Sequence, residues 1–233
     1  MTTVVLFDID GTILWTDGAG RRAVYRALHD VFGAPPPDGH EFDGKTDPQI
    51  VHELMRLTGM SADDVERRLP DALSRYVELL AIELGDADHG DKVYPGVVAL
   101  LEELEKRDDV LVGLLTGNVR EGAMAKLRAV GLAPERFRIG AFGSDHAHRP
   151  ELPAIARARA EELLGHAIPG PDVVVIGDTP ADMECGRAIG ARAIGVATGR
   201  YSTESLLACD AAAVFRDLSD TTAVMRAIMG DRA

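Results

Sequence analysis

Carboxylates follow two apolar runs of the sequence, at positions where they could bind a cation. Asp8 and Asp10 come directly after the run 3–7, and Asp178 follows the run 173–176 and a single glycine. Two carboxylates crowded at the end of a strand repel each other unless a cation or a proton neutralises them. A hard divalent cation with oxygen ligands, Mg²⁺ as the leading candidate, would do so. A strand followed by an acidic turn explains Asp8 and Asp10 about equally well.

The aspartate at position 182 has a simpler explanation than cation binding. Thr179 and Pro180 have the pattern of a helix start, with threonine as the N-cap and proline at the first helical position. Asp182 then falls in the first turn, where a negative charge interacts favourably with the helix dipole. This explanation does not extend to Asp178, a charge at the very end of an apolar run. Asp178 is therefore a third candidate oxygen ligand.

Two further segments could bind an anion. Thr116, Gly117 and Asn118 follow an apolar run and precede a helical pattern. A hydroxyl and backbone N–H groups at such a turn can bind phosphate, although Thr116 or Asn118 could instead be an ordinary N-cap. Arg149 comes just before another helical pattern and could bind phosphate oxygens in a bidentate manner. The alternative for Arg149 is a solvated surface arginine.

The elements that would position these residues alternate between strand and helix. Several of the apolar runs are apolar at consecutive positions, which is typical of strands covered on both faces. The runs are 3–7, 110–115, 137–142, 173–176, 191–196 and 212–215. Helical patterns separate most of them, and this alternation predicts an open, doubly wound α/β fold with a parallel sheet. Ligands of such sheets bind beyond the carboxyl ends of the strands, where the candidate residues fall.

One interval interrupts this alternation. Between positions 15 and 92 the sequence has no convincing strand and has helical patterns at 19–31, 48–57 and 62–84. We therefore predict an all-helical domain of residues 15–92, with hinges near 14–18 and 85–94. The α/β core would then consist of residues 1–14 and 93–233.

Composition limits the class of partner. The 233 residues carry a net charge of −13, from 25 lysines and arginines against 38 aspartates and glutamates, with no strongly basic run. This charge argues against binding to nucleic acid or to an anionic membrane surface. No apolar stretch approaches the roughly 18 residues of a transmembrane helix, and the start of the sequence lacks the basic region of a signal peptide. We expect a cytoplasmic protein.

Taken together and in this order, the four segments resemble the motifs of the haloacid dehalogenase (HAD) superfamily. The segments are DIDGT at 8–12, TGN at 116–118, RP at 149–150 and GDTPAD at 177–182. The resemblance covers the whole chain, because the helical interval looks like the C1-type cap of that superfamily inserted into its Rossmannoid core. Phosphoglycolate-phosphatase-like members are the most similar. The third motif more often carries a lysine, where this sequence has Arg149.

The resemblance implies a reaction and its acidic groups. True dehalogenases of the superfamily lack the second aspartate of the first motif, so the presence of Asp10 implies phosphoryl transfer. Asp8 would be the nucleophile, and Asp10 would protonate the leaving alcohol and then activate water. Mg²⁺ would be held by the carboxylates of Asp8 and Asp178 and by the backbone carbonyl of Asp10.

The resemblance also implies which groups bind the phosphoryl oxygens. These groups would be the Thr116 side chain, backbone N–H groups at Gly117 and Asn118, and Arg149. Asp182 would orient Arg149 or a metal-bound water. In the helical interval, Arg21 and Lys45 are candidates for contact with the leaving group, and solvated surface cations are the alternative.

The function implied is a Mg²⁺-dependent phosphatase that acts on a small phosphorylated metabolite such as 2-phosphoglycolate. Two alternatives remain open on the sequence. One is a sugar-phosphate mutase of the same superfamily, and the other is a non-catalytic binding module that keeps the fold. We expect a monomer or a homodimer.

Overall fold

The computed structural model describes residues 2–85 and 92–230. In chain order, the strands are β1 (Thr3–Phe7), β2 (Leu14–Trp15), β3 (Lys92–Val93), β4 (Val110–Leu115), β5 (Ile139–Ala141), β6 (Val173–Gly177), β7 (Arg192–Val196) and β8 (Ala213–Phe215). The helices are α1 (Ala19–Phe32), α2 (Asp47–Leu57), α3 (Ala62–Leu84), α4 (Val97–Glu105), α5 (Arg120–Ala129), α6 (Leu152–Leu164), α7 (Pro180–Cys185), α8 (Thr203–Leu207) and α9 (Thr221–Met229).

Six of the strands form one parallel sheet in the order β5-β4-β1-β6-β7-β8. Strand β1 lies in the interior of this sheet, with Phe7 paired to Leu114 on one side and Ile176 on the other. The carboxyl ends of β1, β4 and β6 therefore meet at one edge, and the candidate residues that follow them meet there too. The α/β fold with a parallel sheet is confirmed.

Strand β1 is buried on both faces, as its unbroken apolar sequence predicts. Val5 and Phe7 belong to one hydrophobic cluster and Val4 and Leu6 to another. Each side of the sheet is thus covered by helices, and the rigid position of β1 fixes the residues that come directly after it.

Helices α1, α2 and α3 form the helical insertion, which has a hydrophobic cluster of its own. Thr46 and Ser61 cap α2 and α3 by accepting hydrogen bonds from backbone N–H groups in the first turns. Strands β2 and β3 pair antiparallel at the two predicted hinges, with Leu14 opposite Val93. A helical insertion between β1 and β4 is confirmed, and its exact boundaries at residues 15 and 92 stay a prediction.

Some elements differ from the sequence-based expectation. The helix predicted to start at Thr179 and Pro180 is short: it ends at Cys185, and a 3₁₀ turn from Arg187 to Ile189 follows it, because glycines at 186 and 190 interrupt the helical pattern. Helices α8 and α9 were not predicted, since they are short, with five and nine residues. Among the described residues, no helix has the length and apolar character needed to cross a membrane.

Candidate active site

Three buried aspartates meet at the carboxyl edge of the sheet. Asp8, Asp178 and Asp182 each place a carboxylate oxygen within 4.8 Å of the other two. The Thr12 hydroxyl donates a hydrogen bond of 3.1 Å to Asp178. Gly11 has a φ of +85°, and a Cβ there would lie 2.2 Å from an oxygen of Asp178. The glycine of the first motif therefore lets the chain turn against this carboxylate.

Burial makes two of these carboxyl groups weaker acids than usual. It raises the pKa of Asp8 from 3.8 to about 7; Arg149 opposes this rise, and Asp182 and Asp10 add to it. Burial, with Asp182 and Asp8 as like charges, also raises the pKa of Asp178 well above 3.8. Charged carboxylates are therefore costly here without a cation. Oxygen donors held this close fit a hard divalent cation, and Asp8 and Asp178 are the residues that could hold it.

Asp182 is occupied by protein groups. Its Oδ2 accepts hydrogen bonds from the backbone N–H and the hydroxyl of Thr179, at 3.0 and 2.7 Å. Its Oδ1 contacts the guanidinium of Arg149. The helix start predicted at Thr179 is present, with Pro180 in the first turn. Asp182 thus completes a capping box with Thr179 at the start of α7 and contacts Arg149, and its role in orienting Arg149 stays a prediction.

Arg149 is buried at the centre of this acidic group and is not a surface arginine. Its Nη2 lies 3.1 Å from Oδ1 of Asp8, and it also contacts Asp182. Burial lowers the pKa of Arg149, but the aspartates Asp182 and Asp8 raise it by more, so the guanidinium stays charged. In the part of the chain that the structure describes, the buried Nε–H of Arg149 has no hydrogen-bond acceptor. A buried donor without an acceptor is costly, and an anion in the site would supply one.

The turn after β4 is held by its own side chains. The Nδ2 of Asn118 donates to the Thr116 hydroxyl at 2.8 Å and to Oδ2 of Asp10 at 2.7 Å. The N-cap of α5 is Val119, with no side-chain cap of the usual kind. Thr116 and Asn118 therefore do not fill the ordinary N-cap role that the sequence left open, and both line the cavity at the site.

Lys126 is a site residue that the sequence-based reasoning missed. Its Nζ donates to both oxygens of Asp10, at 2.8 and 2.7 Å, and to Oδ1 of Asn118 at 2.7 Å. The periodicity of α5 could have revealed it, because Lys126 lies on the buried face that also carries Gly122 and Ala123. A lysine on the apolar face of a helix needs a partner.

The helical insertion closes over the turn after β4 and makes the other wall of the cavity. The backbone N–H of Asp47 donates to the carbonyl of Gly117 at 2.8 Å, and the Thr46 hydroxyl donates to the carbonyl of Ala147 at 2.6 Å. A Cβ on Gly117 would lie 2.0 Å from the carbonyl oxygen of Lys45. The two backbones can therefore approach this closely only because position 117 is glycine.

The two cations predicted to reach the leaving group, Arg21 and Lys45, both line the cavity, which has a volume of about 170 Å³. Arg21 donates to the carbonyl of His40 at 2.8 Å and lies 4.0 Å from the centre of the Phe42 ring. The Nζ of Lys45 lies 2.5 Å from a carboxylate oxygen of Glu53. Arg21 is exposed and Lys45 is half-buried, and their contact with a leaving group stays a prediction.

The contribution of Asp47 to the stability of the folded chain should depend on pH. Its buried carboxylate accepts a hydrogen bond of 2.7 Å from the Val119 N–H. Burial raises its pKa from 3.8 to about 6, although Lys126 and that hydrogen bond lower it. Because the pKa is higher in the folded chain, its stabilising contribution is present below about pH 4 and is lost as the pH rises through about 6.

Asp47→Asn keeps an acceptor for Val119 and cannot ionise. The free energy of unfolding of the variant relative to the parent is expected to increase by up to about 3 kcal/mol from pH 4 to pH 7. Urea unfolding at both pH values measures it, with the exposed Asp71 changed to asparagine as the control. A difference between variant and parent that does not change with pH would contradict the assignment.

Comparison with known proteins agrees with this geometry. The family described as haloacid dehalogenase-like hydrolase matches residues 5–187, which span all four motifs. The chain belongs to this family. As a HAD hydrolase it is an enzyme, and its three helices between β1 and β4 are the helical cap that the motifs implied.

Two curated relatives of this HAD hydrolase are phosphatases. A phosphoglycolate phosphatase of Synechococcus elongatus is 27% identical over 207 residues, which cover 88% of each chain. A probable phosphatase, IndB, of Dickeya dadantii is 26% identical over 231 residues, covering 98% of this chain and 96% of the relative. Both names describe those relatives, and the family match shows a HAD hydrolase.

Solved structures share the fold. A hydrolase from Pseudomonas syringae superposes with a TM-score of 0.69 at 24% identity, covering 98% of this chain and 99% of the other. A predicted phosphoglycolate phosphatase from Haemophilus somnus gives a TM-score of 0.70 at 17% identity, with coverages of 96% and 98%. At these identities the likeness establishes the fold alone.

Proposed function

We propose that this HAD hydrolase is a Mg²⁺-dependent phosphatase that hydrolyses a small phosphomonoester through a phospho-aspartate on Asp8. The observation that carries the proposal is the convergence of Asp8, Asp178 and Arg149 at one edge of the sheet. A nucleophile, an oxygen site for a cation and a fixed positive charge are the groups that phosphoryl transfer requires.

In the first step, a carboxylate oxygen of Asp8 attacks phosphorus and the bond from phosphorus to the leaving oxygen breaks. The carboxyl group of Asp10 gives its proton to that oxygen, so an alcohol departs. In the second step, water attacks phosphorus, Asp10 takes the proton of the water, and the bond to Asp8 breaks. The products are inorganic phosphate and the regenerated aspartate.

The remaining groups would bind the phosphoryl oxygens. Arg149 is buried with an Nε–H that lacks an acceptor, so a phosphate oxygen would satisfy it. Thr116 and the backbone of Gly117 and Asn118 line the same cavity. Mg²⁺ held by Asp8, Asp178 and the backbone carbonyl of Asp10 would neutralise charge on the carboxylates and the phosphoryl group.

The size of the cavity supports a small substrate. Its volume of about 170 Å³ is below the roughly 300–1,000 Å³ of pockets that enclose drug-sized ligands. This space favours a short leaving group over the hexose bisphosphate that a sugar-phosphate mutase must hold. The name of the relative from Synechococcus elongatus makes 2-phosphoglycolate the first compound to test.

The test is a panel of phosphate esters incubated with the purified protein and Mg²⁺. We expect release of inorganic phosphate from 2-phosphoglycolate or a similarly small ester. EDTA should lower the rate at least about 100-fold and added Mg²⁺ should restore it. Isomerisation of a hexose phosphate in the presence of trace bisphosphate, without phosphate release, would favour the mutase. Hydrolysis that persists unchanged in EDTA would contradict the role of the cation.

A further inference from the structure

We propose that Lys126 is a positioning residue that acts through Asp10, by holding its carboxyl group toward the oxygen of the leaving group. The inference rests on the proposed function, in which Asp10 exchanges a proton with that oxygen. Lys126 itself need not touch the substrate.

The hydrogen bonds of Lys126 define one orientation of Asp10. Two of its three N–H donors go to the two oxygens of Asp10 and the third to Oδ1 of Asn118. Asn118 in turn donates to Asp10 and to the Thr116 hydroxyl, which fixes the amide. The carboxyl group of Asp10 is thus held on the side of α5 by a network in which Lys126 and Asn118 also hydrogen-bond to each other. Such a network restricts a side chain more than a single contact would.

The side chain of Lys126 is buried, while the carboxyl group of Asp10 stays accessible to a ligand. The side chain of Lys126 is 5% exposed and that of Asp10 is 38% exposed. Both residues line the cavity. Asp10 can therefore meet a ligand while its partner is shielded from water, where a charge pair is stronger than in solvent.

The helical insertion is shaped to accommodate the ammonium group. A Cβ on Gly20 of α1 would lie 3.3 Å from the Nζ of Lys126 and 3.8 Å from the Tyr76 hydroxyl. Asp47 of α2 is near enough for Lys126 to lower its pKa. A buried ammonium is costly without partners, so the position of Lys126 depends on Asp10 and Asn118 as much as theirs depends on Lys126.

The need for a proton from Asp10 differs between leaving groups. An alkoxide is strongly basic and needs a proton from Asp10 as the bond to phosphorus breaks, whereas 4-nitrophenolate leaves without one. Loss of Lys126 leaves Asp10 with the single hydrogen bond from Asn118 and without a fixed orientation. The first step should therefore slow with alkyl phosphates but not with p-nitrophenyl phosphate, whereas the second step, in which Asp10 takes a proton from water, is the same for both classes of ester.

The experiment compares the parent, Lys126→Met, Asp10→Asn and the double variant on 2-phosphoglycolate, glycerol phosphate and p-nitrophenyl phosphate. For Lys126→Met we expect the single-turnover rate of alcohol release from the alkyl esters to fall by about 10²–10³, and the burst rate of 4-nitrophenolate release from the aryl ester to fall by less than about 10. The double variant should be no slower than Asp10→Asn, because two residues that act as a unit are not additive. Lys106→Met, which changes a 65% exposed lysine, is the control.

Other outcomes would overturn the inference. Equal losses in the rate of the first step on both classes of ester would indicate a merely structural role, and a double variant much slower than Asp10→Asn would indicate direct contact with the substrate. If Lys126→Met does not fold, Lys126→Gln keeps a hydrogen-bond donor without the charge and is judged by the same ratio of alkyl to aryl rates. A parent inactive on every ester would refute the proposed function, whereas an active parent with unselective Lys126 variants refutes this inference alone.

Discussion

Asp8→Asn is expected to abolish phosphomonoester hydrolysis and to leave the fold intact. Asparagine has the shape of aspartate but its amide cannot attack phosphorus, so kcat should fall at least about 10⁴-fold. The fold should tolerate the change because burial already raises the pKa of Asp8 to about 7, which makes a neutral side chain acceptable there. Initial rates with p-nitrophenyl phosphate and thermal unfolding by circular dichroism measure the two effects.

The control for this prediction is Asp71→Asn, which changes an exposed aspartate of the helical insertion. That variant should keep the rate of the parent. Hydrolysis by Asp8→Asn at the parental rate would show that Asp8 is not the nucleophile, whatever the metal requirement.

Arg149→Met is expected to impair both stability and turnover. The guanidinium lies between Asp8 and Asp182, and its removal leaves buried carboxylates without their counter-charge. Breaking a buried ion pair on one side typically costs about 3–5 kcal/mol. Loss of a positive group that binds the phosphoryl oxygens should also lower kcat by about 10²–10³. Urea unfolding and steady-state kinetics measure the two losses.

Arg149→Lys separates charge from geometry. A lysine keeps the positive charge but replaces the planar fork with a single nitrogen, so stability should recover more fully than kcat. The exposed Arg128 changed to methionine is the matched control. If Arg149→Met unfolded at the same urea concentration as the parent and kept its kcat, Arg149 would contribute neither to the stability of the fold nor to turnover.

The main features of the fold and of the acidic site were predictable from the sequence. Unbroken apolar runs such as Val4 to Phe7 indicate strands covered on both faces, and parallel strands bring their carboxyl ends to one edge. Asp8 and Asp178 therefore had to lie near each other if the α/β prediction held. Arg149 is different, because nothing local distinguishes it from a surface arginine. The order of the motifs placed it near the site.

Lys126 and Asp47 were not predicted, for a physical reason. Lys126 contacts Asp10 across 116 positions of sequence, and Asp47 contacts Val119 across 72. Locally, one is a lysine in a helix and the other an acid in the first turn of a helix, which are both ordinary. Their function depends on the docking of the helical insertion against the sheet. The pair of short strands β2 and β3 was missed because two residues are too few to show a period.

The pairing of Leu14 with Val93 brings the start and the end of the helical insertion side by side. No strand of the main sheet is interrupted by it, and its hydrophobic cluster is built chiefly from its own helices. During evolution, such an insertion can be lengthened, shortened or replaced without disrupting the sheet that carries the aspartates. We expect lineages of this enzyme to diverge in which alcohol they release sooner than in how they break the bond to phosphorus.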